Sequence, residues 1–258
     1  MRRLIALTLG ILGLVLQAGD AAASAFRVTP IQVQFSGKSS TLLNLSNESD
    51  QPLRFQISAF AWTQSPTGEI QLSPTEDITF FPSLLSLKPG EERKVRVGSN
   101  VTATDSEKTY RIFFEELPPP EKPAGEKKSE VRILTKMGIP IFVQPPKGTA
   151  EARVADLKTD NGRVTFRVTN TGNTHYSVRA IHLTATDAGG QKVFNRDLDG
   201  WYILAGGVRD YSVDLPADSC PKIRSIKAEV VTDISTDANA STVSTEQAFP
   251  NGVSCHQK

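Results

Sequence analysis

The stretch Glu130 to Val143, reading EVRILTKMGIPIFV, constrains this 258-residue chain more than any other. Its odd positions, Val131, Ile133, Thr135, Met137, Ile139, Ile141 and Val143, are apolar except for one threonine, whereas the even ones include Arg132, Lys136, Gly138 and Pro140. A period of two held over that length predicts a β-strand whose two faces meet different surroundings. It is more than twice the ~5–6 residues of an ordinary strand. The polar, proline-rich segment Pro118 to Ser129 that precedes it has little to cover it with. A long apolar edge strand invites aggregation unless a partner is meant to pair with it. The stretch therefore reads as a binding device.

The start of the chain sets its compartment. Met1-Arg2-Arg3 is basic, Leu4 to Leu16 is an almost unbroken apolar run, and Ala21 to Ala25 supplies small residues for cleavage. This is the pattern of a secretory signal peptide, residues 1–25, with cleavage after Ala23 or Ala25 fitting equally well. The apolar run falls short of the ~20 residues that span a bilayer. Lysine plus arginine number 29 against 28 aspartate plus glutamate, so charge points to neither nucleic acid nor an acidic membrane surface. The two cysteines, Cys220 and Cys255, lie late in a chain that meets oxidising conditions, which predicts one disulfide in the second half.

From Phe26 onward, short alternating apolar bursts are separated by turn residues, with no helical period. Strands are expected at 27–35, 41–46, 53–62, 78–81, 93–98 and 109–117, before the long strand. Asn47 to Asp50, Ser65 to Gly68 and Lys88 to Glu91 supply the turns between them. Strands at this spacing read as an immunoglobulin-like β-sandwich. A turn-rich linker, Gln144 to Gly148, then leads into a second set at 152–157, 163–169, 177–186, 192–198, 208–215, 223–232 and 242–249. Asn44-Leu45-Ser46-Asn47 in the first half resembles Arg167-Val168-Thr169-Asn170 in the second, a weak internal repeat. The expected fold is all-β: two immunoglobulin-like sandwiches in tandem, residues 26–144 and 145–258.

An enzyme needs a constellation, and the sequence offers none. His175, His182 and His256 form no metal-binding spacing, and there is no Gly-x-Ser-x-Gly and no phosphate-binding glycine loop after a strand. Asp197-Leu198-Asp199 and Asp233 to Asp237 have too few ligands for calcium. His175 reads as a solvated turn residue. No cofactor and no metal are expected.

Phe81 to Val97, Tyr110 to Pro119, Glu130 to Val143 and Val168 to Asn173 together carry a resemblance to the periplasmic chaperones of chaperone and usher pilus assembly. Phe81-Pro82-Ser83 through Leu87-Lys88-Pro89-Gly90-Glu91 and Arg93 to Val97 is similar to the family's proline-rich turn and following strand. Tyr110 to Pro119 resembles the strand ending in an acidic residue, an aliphatic one and prolines, and Val168 to Asn173 resembles the opening of the second domain. Glu130 to Val143 resembles the donor strand.

The resemblance implies a non-enzymatic periplasmic chaperone. A pilus or fibre subunit with an incomplete sandwich receives the apolar face of the chaperone's own strand, and is later surrendered to an outer-membrane usher. By position the contact side chains are Val131, Ile133, Thr135 and Met137, with Ile139 after them, while Ile141 and Val143 fit the chaperone's own core. Common family members hold the subunit's terminal carboxylate with an arginine on the first strand and a lysine late in the donor strand. Here those positions fall near Gln32 and on Pro140, neither of them basic. The Gly138 to Phe142 run with Lys136 before it resembles instead the archaic, spore-coat-like branch, which makes Lys136 the expected carboxylate anchor, assisted by Arg27 or Arg132. Self-association of the unloaded chain is a further expectation, and an exported structural or adhesive fibre component is the alternative reading.

Overall fold

The computed structural model describes residues 25–119, 133–236 and 239–255, so the expected signal peptide lies outside the described residues. In the first half the strands are β1 (Phe26–Thr29), β2 (Val33–Phe35), β3 (Ser40–Asn47), β4 (Leu53–Gln64), β5 (Ile70–Pro74), β6 (Ile78–Phe81), β7 (Leu84–Leu87), β8 (Glu92–Ser99), β9 (Lys108–Glu116) and β10 (Lys136–Val143). The second half has β11 (Ala152–Asp160), β12 (Arg163–Asn170), β13 (Tyr176–Thr186), β14 (Lys192–Leu198), β15 (Tyr202–Ile203), β16 (Val208–Asp214), a single 3-10 turn at Cys220–Lys222, β17 (Ser225–Thr236) and β18 (Asn239–Ala248).

These strands build two immunoglobulin-like sandwiches in tandem. One pairs a sheet ordered β1-β3-β8-β6 with a sheet ordered β2-β10-β9-β4-β5, β7 lying beside β4. The other pairs β11-β12-β16 with β14-β13-β17-β18, β15 lying beside β13. Alternation sets the cores: Leu53, Phe55 and Ile57 of β4 and Tyr110, Ile112 and Phe114 of β9 point inward, and their neighbours point out. The second core gathers Val164, Phe166 and Val168 with Ile181, Leu183, Ala228 and Val230.

Three strands went unforeseen, each for a local reason. β5 is exposed along its whole length, β7 has a single buried residue and β15 is two residues long, so none imposes a burial period on the sequence. The strand expected over 27–35 is split at Pro30, which has no N–H to donate to a ladder. Its first part pairs with β3 and its second with β10, so the chain crosses from one sheet to the other there.

The weak repeat has a physical identity. Asn47 is 2% exposed, and its Nδ2 donates to the carbonyls of Gln51, Leu87 and Lys88 at 2.8, 3.3 and 3.1 Å. Its Oδ1 accepts the Ser49 N–H. Asn170 repeats this with the carbonyls of Thr174, Ile203 and Leu204 at 2.8, 3.1 and 3.1 Å, and with the Gly172 N–H. In each sandwich one buried amide thus ties a strand end to the turn that follows it and to one distant stretch of backbone. Asn47→Ala leaves those groups unmatched and is expected to lower stability by about 3 kcal/mol, read as a reduced urea midpoint with unchanged slope. A midpoint equal to that of the parent chain would reject this role.

The sandwiches are joined by contact as well as by chain. Trp62 and Phe142 of the first pack with Leu204 and Tyr202 of the second. The Gln64 amide donates to the Tyr202 carbonyl at 3.0 Å and accepts the Leu204 N–H at 3.3 Å. The turn before β5 is pinned by the Asp210 N–H on the Pro66 carbonyl at 2.8 Å.

Candidate functional site

β10 is bonded unequally on its two sides. Towards β9 it is paired along its whole length, from Lys136 opposite Glu115 to Val143 opposite Lys108. Towards β2 it is paired only at Ile141, Phe142 and Val143. Two hydrogen bonds fix the phase. The Glu116 N–H donates to the Thr135 carbonyl at 2.9 Å and the Gln144 N–H to the Phe35 carbonyl at 2.8 Å. Since successive residues of a strand point their amides to opposite margins, odd residues of β10 bond to β9 and even ones face the other way. Lys136 and Gly138 thus direct their peptide groups at a margin that no strand occupies among the described residues.

The side chains divide along the same axis. Ile141 and Val143 are buried in the first core and Met137 packs half-buried at its rim. Ile139, expected among the guest contacts, is only 1% exposed and belongs to the core, because β10 has already entered the sandwich at that point. Ile133, at 66%, and Leu134, at 43%, stand exposed before the strand begins, and Thr135 is partly buried. The regular strand is therefore shorter than the sequence period suggested, starting at Lys136. Val131 and Arg132 lie outside the described residues.

On the outward face of β10, Gly138 lies under the ring of Phe113 from β9. A Cβ at Gly138 would come within 2.7 Å of that ring, so glycine is required by the close approach. Two cations flank the same ring. Lys136 Nζ is 5.1 Å from its centroid and Arg111 Cζ is 5.8 Å from it, the latter also 5.1 Å from the Trp62 ring. Arg111 sits directly across from Pro140 in the register. One of its terminal nitrogens donates to the Gly138 carbonyl at 3.3 Å. Its Nε and the nearby Trp62 Nε1 are buried with no hydrogen-bond partner among the described residues. Burial holds the Arg111 guanidinium below its usual pKa range, although such a group stays charged at any physiological pH.

Of the three expected anchors, Lys136 is placed beside this margin, ion-paired at 2.7 Å with Glu115 while both remain about half exposed. Arg27 is in the opposite sheet, ion-paired with Glu48, and the fold does not bring it to Lys136. Arg111 was missed, because a lone arginine in a strand carries no signal until its cross-strand neighbour is known. Gln32, at the expected arginine position, instead accepts the Tyr202 hydroxyl at 3.2 Å.

His175 also differs from its expected role. It is nearly buried, its Nδ1 lies 2.7 Å from Glu107 and its ring stacks on Phe142 at 3.5 Å, so it joins the sandwiches rather than decorating a turn. Cys220 and Cys255 form the expected disulfide. Among the described residues no group of three His, Cys, Asp or Glu could hold a metal ion.

The family model of the pili and flagellar-assembly chaperone, PapD N-terminal domain, matches residues 25–149. No curated protein matches the chain by sequence. In fold the chain is similar to the chaperone of the CsuC–CsuE chaperone–tip adhesion subunit pre-assembly complex from the archaic chaperone-usher Csu pili of Acinetobacter baumannii. That likeness has a TM-score of 0.59 and 18% identity over 85% of this chain and 98% of that one. The class 5 fimbriae chaperone CfaA gives 0.54 and 14% over 84% and 97%. The structure of the Salmonella enterica SafA pilin in complex with the SafB chaperone gives 0.52 and 16% over 88% and 98%. By sequence the first sandwich, residues 25–149, belongs to the pili and flagellar-assembly chaperone family, whose members are assembly chaperones rather than enzymes, and over both sandwiches the chain shares the fold of the chaperone structures above.

Proposed function

We propose that the chain is a periplasmic chaperone that binds a pilus or fibre subunit by lending it the segment from Val131 to Met137, and passes it on to an outer-membrane usher. The observation that carries this reading is the half-open strand: β10 is paired on one side and, among the described residues, has no strand against it from Lys136 to Gly138 on the other, with exposed Ile133 leading into it. Such a margin is a template for an added strand. Each net backbone hydrogen bond contributes about 1 kcal/mol. Each buried aliphatic side chain contributes roughly 1.5–3 kcal/mol, so three or four of them supply most of a grip that tolerates many guest sequences.

The guest's terminal carboxylate is held by Arg111 together with Lys136. The exposed pair with Glu115 contributes at most about 1 kcal/mol, so Lys136 is readily exchanged to a new anion. Arg111 is desolvated, with a donor to spare, where a charge-assisted hydrogen bond is strongest. A terminus anchored at Arg111, with its strand running back towards Ile133, lies parallel to β10. Both sandwiches possess closed cores of their own, which speaks against the fibre-component reading, since a subunit awaits a strand from outside.

The test is co-expression with an exported β-sandwich subunit encoded beside the chain. A one-to-one complex recovered from the periplasmic fraction is the expected result. Recovery of both proteins uncomplexed sinks the proposal.

A further inference from the structure

The outer edge of β10 is shared. β2 occupies it from Ile141 onward, and the bare stretch from Lys136 to Gly138 precedes it. The residue between the two is Pro140. By the alternation fixed above, Pro140 directs its peptide nitrogen at this edge, and that nitrogen carries no hydrogen. A proline is tolerated in a ladder only where its missing N–H faces a free margin. Extending the parallel register, Phe142 opposite Gln34 and Ile141 opposite Val33, sets Pro140 opposite Gln32. Its absent donor is the one that would otherwise bond to the carbonyl of Ile31, two residues before β2 begins. Ile31 is itself 75% exposed and free of any ladder.

We propose that Pro140 is a positioning residue that divides this edge into two lanes. On one side it stops β2 from zippering further along β10 and covering the chain's own guest margin. On the other it stops a guest strand from advancing past Gly138, which sets the guest's terminal residue beside Arg111. Because a slip of one residue would turn every guest side chain to the wrong face, the guest register can change only in steps of two. A stop at Pro140 therefore selects one register. This inference rests on the guest-strand reading for its second half only, and its first half is a property of the unloaded chain.

The experiment restores the donor. Pro140→Ala, with Pro140→Val as a second variant should the first fold poorly, is compared with the parent chain by amide hydrogen exchange of the free protein followed by NMR. In the parent, the Lys136 and Gly138 amides exchange at the rate of unbonded ones. In the variants, the new amide at 140 is expected to exchange at least about tenfold more slowly than Gly138, with added protection spreading to Gly138 as β2 lengthens. A residue-140 amide that exchanges as freely as Gly138 overturns the proposal. The guest half is read with the co-expressed subunit carrying two additional residues at its carboxyl end. The parent chain is expected to lose complex at least tenfold, and the variants less. Equal tolerance of the extension by parent and variants overturns the register stop. Loss of the unextended complex from the parent chain would instead indict the guest-strand reading, so the two failures are distinct.

Discussion

Replacing Ile133 and Thr135 together by aspartate is expected to abolish recovery of the subunit complex while leaving the melting temperature of the free chain unchanged within a degree or two. The two halves of this result have separate causes. Ile133 is 66% exposed in the unloaded chain and Thr135 only partly buried, and neither belongs to the first core. A surface carboxylate there touches little in the free protein, and substitutions at such positions usually change stability by less than about 0.5 kcal/mol. In the complex the same positions would enter an apolar groove. Losing the isoleucine contact removes roughly 1.5–3 kcal/mol, and burying an unpaired carboxylate costs several more. Together these exceed the ~2.7 kcal/mol of a hundredfold loss in affinity. Ile141→Asp serves as the contrast, since that side chain is fully buried in the chain's own core and its loss should unfold the free protein. Survival of the complex with both aspartates in place would mean that another surface holds the subunit.

Much of this molecule is legible in its sequence because sandwiches are written in alternation. Strands buried on one face, such as β4, β9 and β13, repeat apolar residues every second position and were placed within a few residues. What stayed hidden had no such imprint. β5 is exposed throughout, so it shows no burial period, and the division of the first strand between two sheets is a matter of partners rather than composition. The donor stretch shows both sides of this. Its period of two was visible, but the point where guest contact gives way to core was not, because Met137, Ile139 and Ile141 share one face and one chemistry. Likewise the asparagine repeat is visible in the sequence as letters, whereas the three carbonyls that each of Asn47 and Asn170 binds are not. Arg111 was beyond reach altogether, since its role depends on lying across from a proline on a neighbouring strand.

That cross-strand placement supports the second large effect. Arg111→Ala is expected to weaken the subunit complex by about 2 kcal/mol, some thirtyfold, the loss of a charge-assisted hydrogen bond to the guest carboxylate. The free chain should lose no stability by it. In the unloaded protein the guanidinium is desolvated, its Nε has no partner among the described residues, and a terminal nitrogen donates a hydrogen bond of 3.3 Å to the Gly138 carbonyl. Removing such a group relieves about as much desolvation as it forfeits in contact. Lys136→Ala breaks an exposed pair and is expected to weaken the complex less, since a solvated ammonium gives up little on release. The discriminating measurement is a double-mutant cycle in which the second change is on the guest, a subunit whose carboxylate is displaced by two appended residues. If Arg111 holds that carboxylate, the two changes together cost no more than the larger alone, because both delete one interaction. Strict additivity would show that Arg111 acts elsewhere, for instance by propping Trp62 against the second sandwich, and the anchor would then have to be sought at Lys136.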